Sequence, residues 1–200
     1  MLRPVATTAF LLAALALAGC ASPDKGHDHD QADAGKGGAM GHMGMMEGGM
    51  MKGKVAFASL TPTQGNNVRG LFVFHEMDGQ VMVHAKVSGL KPGAEHGIHV
   101  HEKGDCASTD GTSAGGHFNP DGKPHGPQTA AHHAGDMPAL KADANGVADQ
   151  KFTLSGVTVA EGTASVVGHA VIVHLSPDDY ATQPTGNSGA RIACGVIAAH

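Results

Sequence analysis

Short runs of alternating hydrophobic and polar residues, separated by Gly, Pro, Asn and Asp, fill the chain from residue 54 onward. Alternation with a period of two indicates strands that have one buried and one exposed face. Asp78-Gly79 separates two of these runs and is typical of a tight hairpin turn. No run has convincing helical periodicity. The pattern predicts seven strands, over residues 55–60, 68–76, 80–88, 97–102, 147–155, 164–175 and 192–197.

About eight antiparallel strands in one domain suggest an all-β fold, a Greek-key β-sandwich or flattened barrel. Its core must consist of Val, Ile, Leu and Ala, because aromatic residues make up only 4% of the chain and Trp is absent. Residues 103–145 and 176–190 fit neither strand nor helix. Long loops inside a compact domain usually carry function. Both follow strands that contain histidine.

Histidines occupy one face of two predicted strands. His99 and His101 alternate with aliphatic residues, so period-two geometry places them on the same face. His174 alternates in the same way with Val171, Val173 and Leu175. If the aliphatic faces fill the barrel, these three histidines project from its outer wall, where the two long loops can cover them.

The first long loop adds His117, His125, His133 and Asp136, which makes six histidines and an aspartate in total. That number exceeds the needs of one metal and suffices for two. Imidazole suits copper and zinc, and one carboxylate among histidines suits zinc in particular. His132 is an alternative to His133, but adjacent residues point apart, so only one of them is expected to bind metal. Four histidines have no other potential ligands in a comparable pattern near them and are interpreted as strand-surface, local polar or terminal residues: His75, His84, His169 and His200.

Residues 1–19 are interpreted as a secretion signal, with Arg3 before a short apolar run at residues 10–18. The run leads into Leu17-Ala18-Gly19-Cys20, which resembles the lipobox of bacterial lipoproteins. This resemblance implies that Cys20 is acylated and that the mature protein is attached to a membrane by its lipid alone, in the periplasm or cell envelope. Ala21, in place of an Asp retention signal, favours the outer membrane. The alternative is an ordinary signal peptide with an incidental cysteine.

Residues 20–53 lack the β-branched and aromatic residues that a core requires, and their composition is that of a disordered tether. Thioether sulfur is a soft ligand that favours Cu(I), whereas His-Asp repeats offer harder donors. The tether is therefore predicted to capture metal, the alternative being a plain flexible linker. The candidate ligands are His27, His29, Met40, His42, Met43, Met45, Met46, Met50 and Met51.

The formal net charge of −5 becomes 12 − 18 = −6 once residues 1–19, with Arg3, are removed. A mildly acidic chain argues against nucleic-acid binding and against electrostatic attachment to membranes. Export implies an oxidising compartment, in which Cys106 and Cys194 are expected to form a disulfide. The alternative is two buried thiols.

Four motifs between residues 54 and 198 resemble those of copper–zinc superoxide dismutases, and specifically of the exported bacterial branch. In that branch the cysteine lies five residues after the second histidine of the first motif, as Cys106 does here. The motifs are His99-Val100-His101-Glu102-Lys103-Gly104-Asp105-Cys106, Gly116-His117-Phe118-Asn119-Pro120, His133-Ala134-Gly135-Asp136 with Met137-Pro138-Ala139-Leu140, and Gly186-Asn187-Ser188-Gly189-Ala190-Arg191-Ile192-Ala193-Cys194-Gly195-Val196-Ile197.

The resemblance implies one copper and one zinc per subunit, with His117 bridging them as a shared, catalytic ligand. Copper would be held by His99, His101, His117 and His174, and zinc by His117, His125, His133 and Asp136. Asp178 matches a carboxylate that links ligands of the two metals, and His96 would support the copper-binding strand by a hydrogen bond. Arg191 matches the active-site arginine, and Cys106–Cys194 matches the family's disulfide.

The activity implied is conversion of superoxide to O2 and H2O2 by copper redox cycling, which would protect the cell envelope. The alternative is a periplasmic lipoprotein that stores or delivers copper without significant turnover, and a third hypothesis is that the tether loads the chain's own catalytic domain. Lys103 and Lys123 are candidates for attracting the anionic substrate, because the segment between His174 and Arg191 is short for a charged guiding loop. The protein could be a monomer or a homodimer.

Overall fold

A computed structural model describes residues 53–200, all of which belong to one unit, Gly48–His200. The expected signal sequence, Cys20 and the tether ligands lie outside the described residues. Residues 53–200 contain nine strands and one 3₁₀ turn, Thr112–Ala114. The strands are β1 Lys54–Pro62, β2 Arg69–Met77, β3 Gln80–Ser88, β4 Glu95–His96, β5 Ile98–His101, β6 Leu140–Lys141, β7 Ala148–Leu154, β8 Ala170–His174 and β9 Arg191–Ala199.

Seven strands form one sheet in the order β5-β8-β9-β1-β2-β3-β7, and β4 pairs with β6. Every one of these strand pairs is antiparallel. The predicted all-β fold of antiparallel strands is therefore confirmed. Asp78 and Gly79 have φ of 53° and 77°, the left-handed conformation that a tight hairpin between β2 and β3 requires.

The core lies on the inner face of the sheet, where the alternating aliphatic and aromatic residues meet. Phe72 and Phe74 of β2 are fully buried there, as are the inward residues of β3. Ile98 and Val100 of β5 join the same core, together with Val171 and Val173 of β8. The opposite face of β5 and β8 therefore carries the histidines outside the main core.

Two predictions about β8 were wrong. The strand begins at Ala170 rather than at residue 164, because the preceding residues form a turn that includes Gly168 at φ 84°. Leu175 does not share the buried face of Val171 and Val173 but is 55% exposed. The pairing of β8 with β9 shifts register between Val173 and His174, and the strand ends there, so alternation does not extend to Leu175.

The prediction that residues 103–145 contain no strand was also wrong, because β6 lies within them. β4 and β6 have two residues each, too short for alternation to reveal, and pair only with each other. Residues 176–190 contain no strand, as expected. Among residues 53–200, no helix has the length and hydrophobicity needed to cross a membrane.

Candidate metal centre

Four histidines form the first buried group, on the outer wall of the sheet. His99 and His101 come from β5, and His174 comes from the end of the neighbouring strand β8. His117 joins them from the long loop, which pairs with β5 through a bridge between His101 and His117. One ring nitrogen from each of the four lies within 4.8 Å of the others, and all four side chains are buried.

Each strand histidine of this group has one nitrogen engaged in a hydrogen bond. His101 Nδ1 donates to the Gly115 carbonyl at 2.9 Å, and His174 Nδ1 donates to the Gly189 carbonyl at 3.1 Å. His99 Nε2 donates to Asp178 Oδ2 at 2.7 Å. These bonds fix the orientation of each ring and its tautomer.

The opposite nitrogens of these three rings, and one nitrogen of His117, have no hydrogen-bond partner among residues 53–200, although they are buried. They are His99 Nδ1, His101 Nε2, His117 Nε2 and His174 Nε2. A buried polar atom without a partner costs free energy, so four that converge on one point require an explanation. A copper ion, for which imidazole nitrogen is a suitable ligand, fits this donor set.

The second group consists of His117, His125, His133 and Asp136. Asp136 Oδ1 lies 2.9 Å from His117 Nδ1, 2.9 Å from His125 Nδ1 and 3.4 Å from His133 Nδ1. His133 Nδ1 and His117 Nδ1 are 3.3 Å apart. Ligands of a tetrahedral zinc ion stand about 3.3 Å from one another, because each Zn–N bond is about 2.0 Å long. The three nitrogens and one oxygen therefore fit zinc.

His99 also has a nitrogen within 4.8 Å of His117, His125 and Asp136. We nevertheless place it with the first group, because its Nε2 bonds Asp178 and its Nδ1 is one of the unpartnered nitrogens of that group. His133 completes the second group by its short distances to both His117 and Asp136. With this assignment His117 is the residue shared by the two groups, with Nδ1 at Asp136 in the second group and Nε2 directed to the first.

Asp178 connects the two groups through a single carboxylate. Its Oδ2 accepts from His99 and its Oδ1 accepts from His125 Nε2 at 2.9 Å. The loop that carries Asp178 closes tightly over it: Gly186, at φ 65°, has no room for a Cβ, which would collide with Asp178 Oδ1. His96 lies beneath, where its Nδ1 donates to the carbonyl of His174 at 2.9 Å.

Burial keeps the three strand histidines of the first group neutral. It lowers the pKa of His99 to about 4 and that of His174 to about 3, and it depresses the pKa of His101 as well. Burial disfavours the charged imidazolium, and the neighbouring histidine rings add to the effect. Neutral rings at pH 7 have lone pairs that are ready to bind metal without loss of a proton.

In the second group the carboxylates raise the pKa of His125, although burial lowers that of His133. Burial acts to lower the pKa of His125, but its bonds to Asp136 and Asp178 outweigh burial and raise that pKa to about 9. The pKa values of both carboxyl groups are depressed: burial opposes this shift, and hydrogen bonds from the histidines more than offset it. Two carboxylates beside this group favour a divalent cation there.

Arg191 stands at the first residue of β9, next to the first group. Its Nη1 donates to the Gly111 carbonyl at 2.7 Å and its Nη2 to the Gly115 carbonyl at 2.6 Å. The Gly115 carbonyl thus accepts from both Arg191 and His101. This shared acceptor fixes the guanidinium relative to a predicted copper ligand.

The disulfide between Cys106 and Cys194 is present, with a Cα–Cα distance of 5.7 Å. It joins the loop that carries Gly111 and Gly115 to β9, three residues after Arg191. The prediction that these cysteines pair is confirmed. The bridge therefore holds together the arginine and the backbone carbonyls that orient it.

Residues 68–197 match the family model described as copper/zinc superoxide dismutase (SODC). The chain belongs to this family.

The chain is similar to proteins named copper–zinc superoxide dismutase and to one named superoxide dismutase-like. A copper–zinc superoxide dismutase of Aquifex aeolicus is 40% identical over 147 residues, 71% of this chain and 85% of the relative. One from Brassica juncea is 43% identical over 150 residues, 70% of this chain and 94% of the relative. A superoxide dismutase-like protein of Bacillus subtilis is 38% identical over 143 residues, 69% of this chain and 73% of the relative.

Solved structures agree with the fold. The crystal structure of the superoxide dismutase-like protein from Bacillus subtilis superposes with a TM-score of 0.64 at 38% identity, covering 70% of this chain and 95% of that one. A double mutant of the same protein gives a TM-score of 0.64 at 41% identity, covering 70% of this chain and 94% of that one. The superoxide dismutase fold is thereby shared.

His132, His169 and Lys123 make contacts outside the two metal groups. His132 bonds the His133 carbonyl and Ser155 Oγ, so it faces out of the metal group. His169 donates to the Glu102 carbonyl. Lys123 pairs with Asp121 at 2.8 Å, which weakens the expectation that its charge attracts the substrate.

Sequence reasoning missed two residues that fasten the loops around the second group. The Gln183 side chain accepts from the His125 amide and donates to the His125 carbonyl, each at 2.9 Å. The Tyr180 hydroxyl accepts from the Ala139 amide at 2.8 Å, which ties the loop that carries Asp178 to the segment that follows Asp136. Both side chains bond backbone atoms, and no sequence motif predicts such contacts.

Proposed function

We propose that this protein is an active copper–zinc superoxide dismutase, which converts two superoxide ions and two protons into O2 and H2O2. The observation that carries the proposal is the convergence of four unpartnered, buried imidazole nitrogens. Beside them lies Arg191, which the carbonyls of Gly111 and Gly115 hold in place. Copper would be held by His99, His101, His117 and His174, and zinc by His117, His125, His133 and Asp136, one ion of each per subunit. When bound, copper supplies one-electron redox chemistry and zinc a fixed positive charge.

Each protein group has a defined part in this proposal. Arg191 binds and orients the small anionic substrate through its guanidinium. His117 offers Nδ1 to one metal group and Nε2 to the other, so its Nε2 is the atom that would hold a proton for the peroxide product. Asp178 orients the rings of His99 and His125, and His96 holds the backbone of His174 through its carbonyl.

The test compares wild-type protein with Arg191→Ala, both loaded with copper and zinc, in a superoxide-scavenging assay with metal analysis of the same samples. We expect the variant to bind both metals fully and to lose most of its activity, because the anion loses its binding group. Arg191→Lys, which keeps the charge, is the matched control and should retain more activity. A wild-type protein that is fully loaded yet inactive would instead favour copper storage.

We further propose that the protein is exported, lipidated at Cys20 and placed in the cell envelope, where it removes superoxide. The lipobox-like sequence before Cys20 supports this. Export of Cys20→Ser in the source cell should yield protein in the soluble fraction without a lipid mass, whereas wild-type protein should sediment with membranes. Equal partitioning of the two proteins would contradict lipid anchoring.

The His/Met-rich tether is proposed to supply copper to the catalytic domain. Its thioethers favour Cu(I), the form in which copper would be transferred. Full-length apoprotein should regain activity faster at limiting Cu(I) than a variant with the six methionines of residues 40–51 replaced by leucine. Equal rates would contradict the proposal without bearing on the dismutase activity itself.

A further inference from the structure

The outer face of the β2–β3 hairpin carries a cluster of soft-metal donors far from the metal centre along the sheet. Phe72 and Phe74 of β2 point into the core, so His75 and Met77, which alternate with them, point outward. On β3, Val81 and Val83 are buried, and Met82 lies on the outer face between them. Strands β9 and β1 separate this hairpin from β8 in the sheet order.

The three outward side chains are neighbours by register. His75 stands directly opposite Met82, and Met77 stands opposite Gln80, one outward position further toward the turn. Side chains directly opposite in an antiparallel pair have Cβ atoms about 5 Å apart, and diagonal neighbours remain within reach of long side chains. Met77 is therefore diagonal to Met82 and adjacent to His75 on the same strand face.

Both thioethers are accessible: Met77 is 38% exposed and Met82 is 42% exposed. Within residues 53–200, the His75 ring has no hydrogen-bond partner, and it borders a shallow groove with Met82, Val55 and Val73. His84 shares this groove but is already engaged, since its Nε2 lies 2.6 Å from Asp149 Oδ1. The available donors are thus one imidazole and two thioethers.

We propose that His75, Met77 and Met82 form an accessory Cu(I) site on the outer face of this hairpin. Thioether sulfur and imidazole nitrogen are the ligands that suit Cu(I), and no carboxylate belongs to the set. Beyond residue 52 the chain has three methionines, of which Met77 and Met82 lie here and Met137 is buried in the core. The soft donors of the domain surface are therefore concentrated at one place.

The position of the site along the chain supports a role in copper acquisition. The backbone of Gly53 lies against His75, so closely that a Cβ on Gly53 would collide with Nε2 of the ring. Met50 and Met51 precede Gly53 by three and two residues. The described part of the chain therefore begins beside His75, and in the sequence only one residue separates Met51 from Gly53.

The site can be observed directly by NMR of full-length protein labelled at the methionine methyl groups. The catalytic centre is first filled with zinc and reduced copper, and Cu(I) is then added as its acetonitrile complex without oxygen. We expect the Met77 and Met82 methyl resonances to shift within the first equivalents, while that of buried Met137 stays in place as an internal control. Shifts confined to methionines of residues 40–51, or none at all, would overturn the proposal.

Substitutions then identify the imidazole. Competition with a chromophoric Cu(I) chelator should show that His75→Gln and Met82→Leu each weaken binding at the site by at least about tenfold, a loss that even indirect partners of metal ligands can cause. His84→Gln is the matched control, since it removes a histidine from the same groove and should leave the affinity unchanged. Equal effects of His75→Gln and His84→Gln would contradict the assignment of ligands. Neither experiment depends on dismutase turnover.

Discussion

At the scale of single residues, two acceptors each bond two functional side chains and thereby couple parts of the site. The Asp178 carboxylate accepts from His99 and from His125, one histidine of each metal group. The Gly115 carbonyl accepts from His101 and from Arg191. Removing either acceptor would loosen two functional groups together, whereas removing one donor would loosen only one.

Replacing Asp178 by Asn should weaken zinc binding by about 10- to 100-fold, the usual cost of losing a group that orients a metal ligand. An amide keeps the shape but can accept from only one of the two histidines, and its NH2 group faces the other. Zinc affinity is measured by competition with a chromophoric chelator. Asp179→Asn is the control, because the Asp179 carboxylate bonds only Ala181 and Thr182 among the described residues. Similar losses in both variants would contradict the coupling role of Asp178.

Gln183 is predicted to slow the release of zinc by clamping the backbone of His125. Its side-chain amide replaces a strand partner, with one bond to the amide and one to the carbonyl of that residue. Gln183→Ala removes both bonds, so zinc transfer to a chelator should be several times faster, at about the cost of one or two hydrogen bonds. Gln80→Ala, at the β2–β3 turn, is the control. An unchanged release rate in Gln183→Ala would contradict this role.

At the scale of elements, loops are fastened to strands by polar side chains as well as by packing. Glu76 at the end of β2 accepts from the Thr158 hydroxyl at 2.7 Å and from the amides of Val159 and Ala160 at 2.8 and 2.9 Å. These bonds hold the pKa of the Glu76 carboxyl below its ordinary value, and the bond from Thr158 has the largest effect. The loop after β7 is thereby attached to a strand that is distant in sequence.

Glu76→Gln should therefore lower the free energy of unfolding by up to about 1 kcal/mol at pH 7, the scale of one net hydrogen bond. Because the folded-state pKa is depressed, this contribution is fully present above the unfolded-state pKa and is lost as the pH falls through the folded value. The difference between wild type and variant should shrink below about pH 4.5. Denaturant unfolding of the metal-loaded proteins from pH 7 to pH 3 measures it. A constant difference across that range would contradict the argument.

The disulfide closes a loop of 88 residues between Cys106 and Cys194. In the chain-entropy model such a loop stabilises the folded state by on the order of 4 kcal/mol. Its second effect is local, since it holds the segment with Gly111 and Gly115 against β9. The bridge thus links the stability of the fold to the orientation of Arg191.

At the scale of the whole molecule, alternation predicted the strands that are long and bury one face. The prediction for residues 80–88 coincides with β3, because every second residue there meets the core. Alternation did not predict β4 or β6, because a strand of two residues has no periodicity. It wrongly placed Leu175 in the core, because the register shift at the end of β8 cannot be read from the pattern of hydrophobic residues.

In the candidate site, too, residues on long alternating strands were predictable and contacts between loops were not. His99, His101 and His174 could be placed on one face from alternation alone, and family motifs supplied the ligands in the loop. Gln183, Tyr180 and the Gly115 carbonyl were not predictable, because their contacts depend on how two loops approach each other in space. Contacts between a side chain and a backbone atom of another loop have no fixed spacing in the sequence.

The formal net charge of the chain, −5, opposes the approach of an anion, whereas the positive charge of Arg191 would attract it locally. Salt screens both effects, with a Debye length of about 10 Å at 0.1 M ionic strength. If the local attraction governs the encounter, the activity of the copper- and zinc-loaded wild-type protein should fall as ionic strength rises.

Arg191→Ala should reverse this trend. With the local charge removed, added salt screens mainly the net negative charge, so the small remaining activity should rise with ionic strength. Arg191→Lys keeps the positive charge and should retain the falling trend of wild type, even where its activity is lower because lysine does not reproduce the two bonds to Gly111 and Gly115. Rates measured from low salt to 0.3 M for the three proteins, with metal content matched, separate charge from orientation. A falling trend that persists in Arg191→Ala would assign the attraction to other residues, such as Lys103.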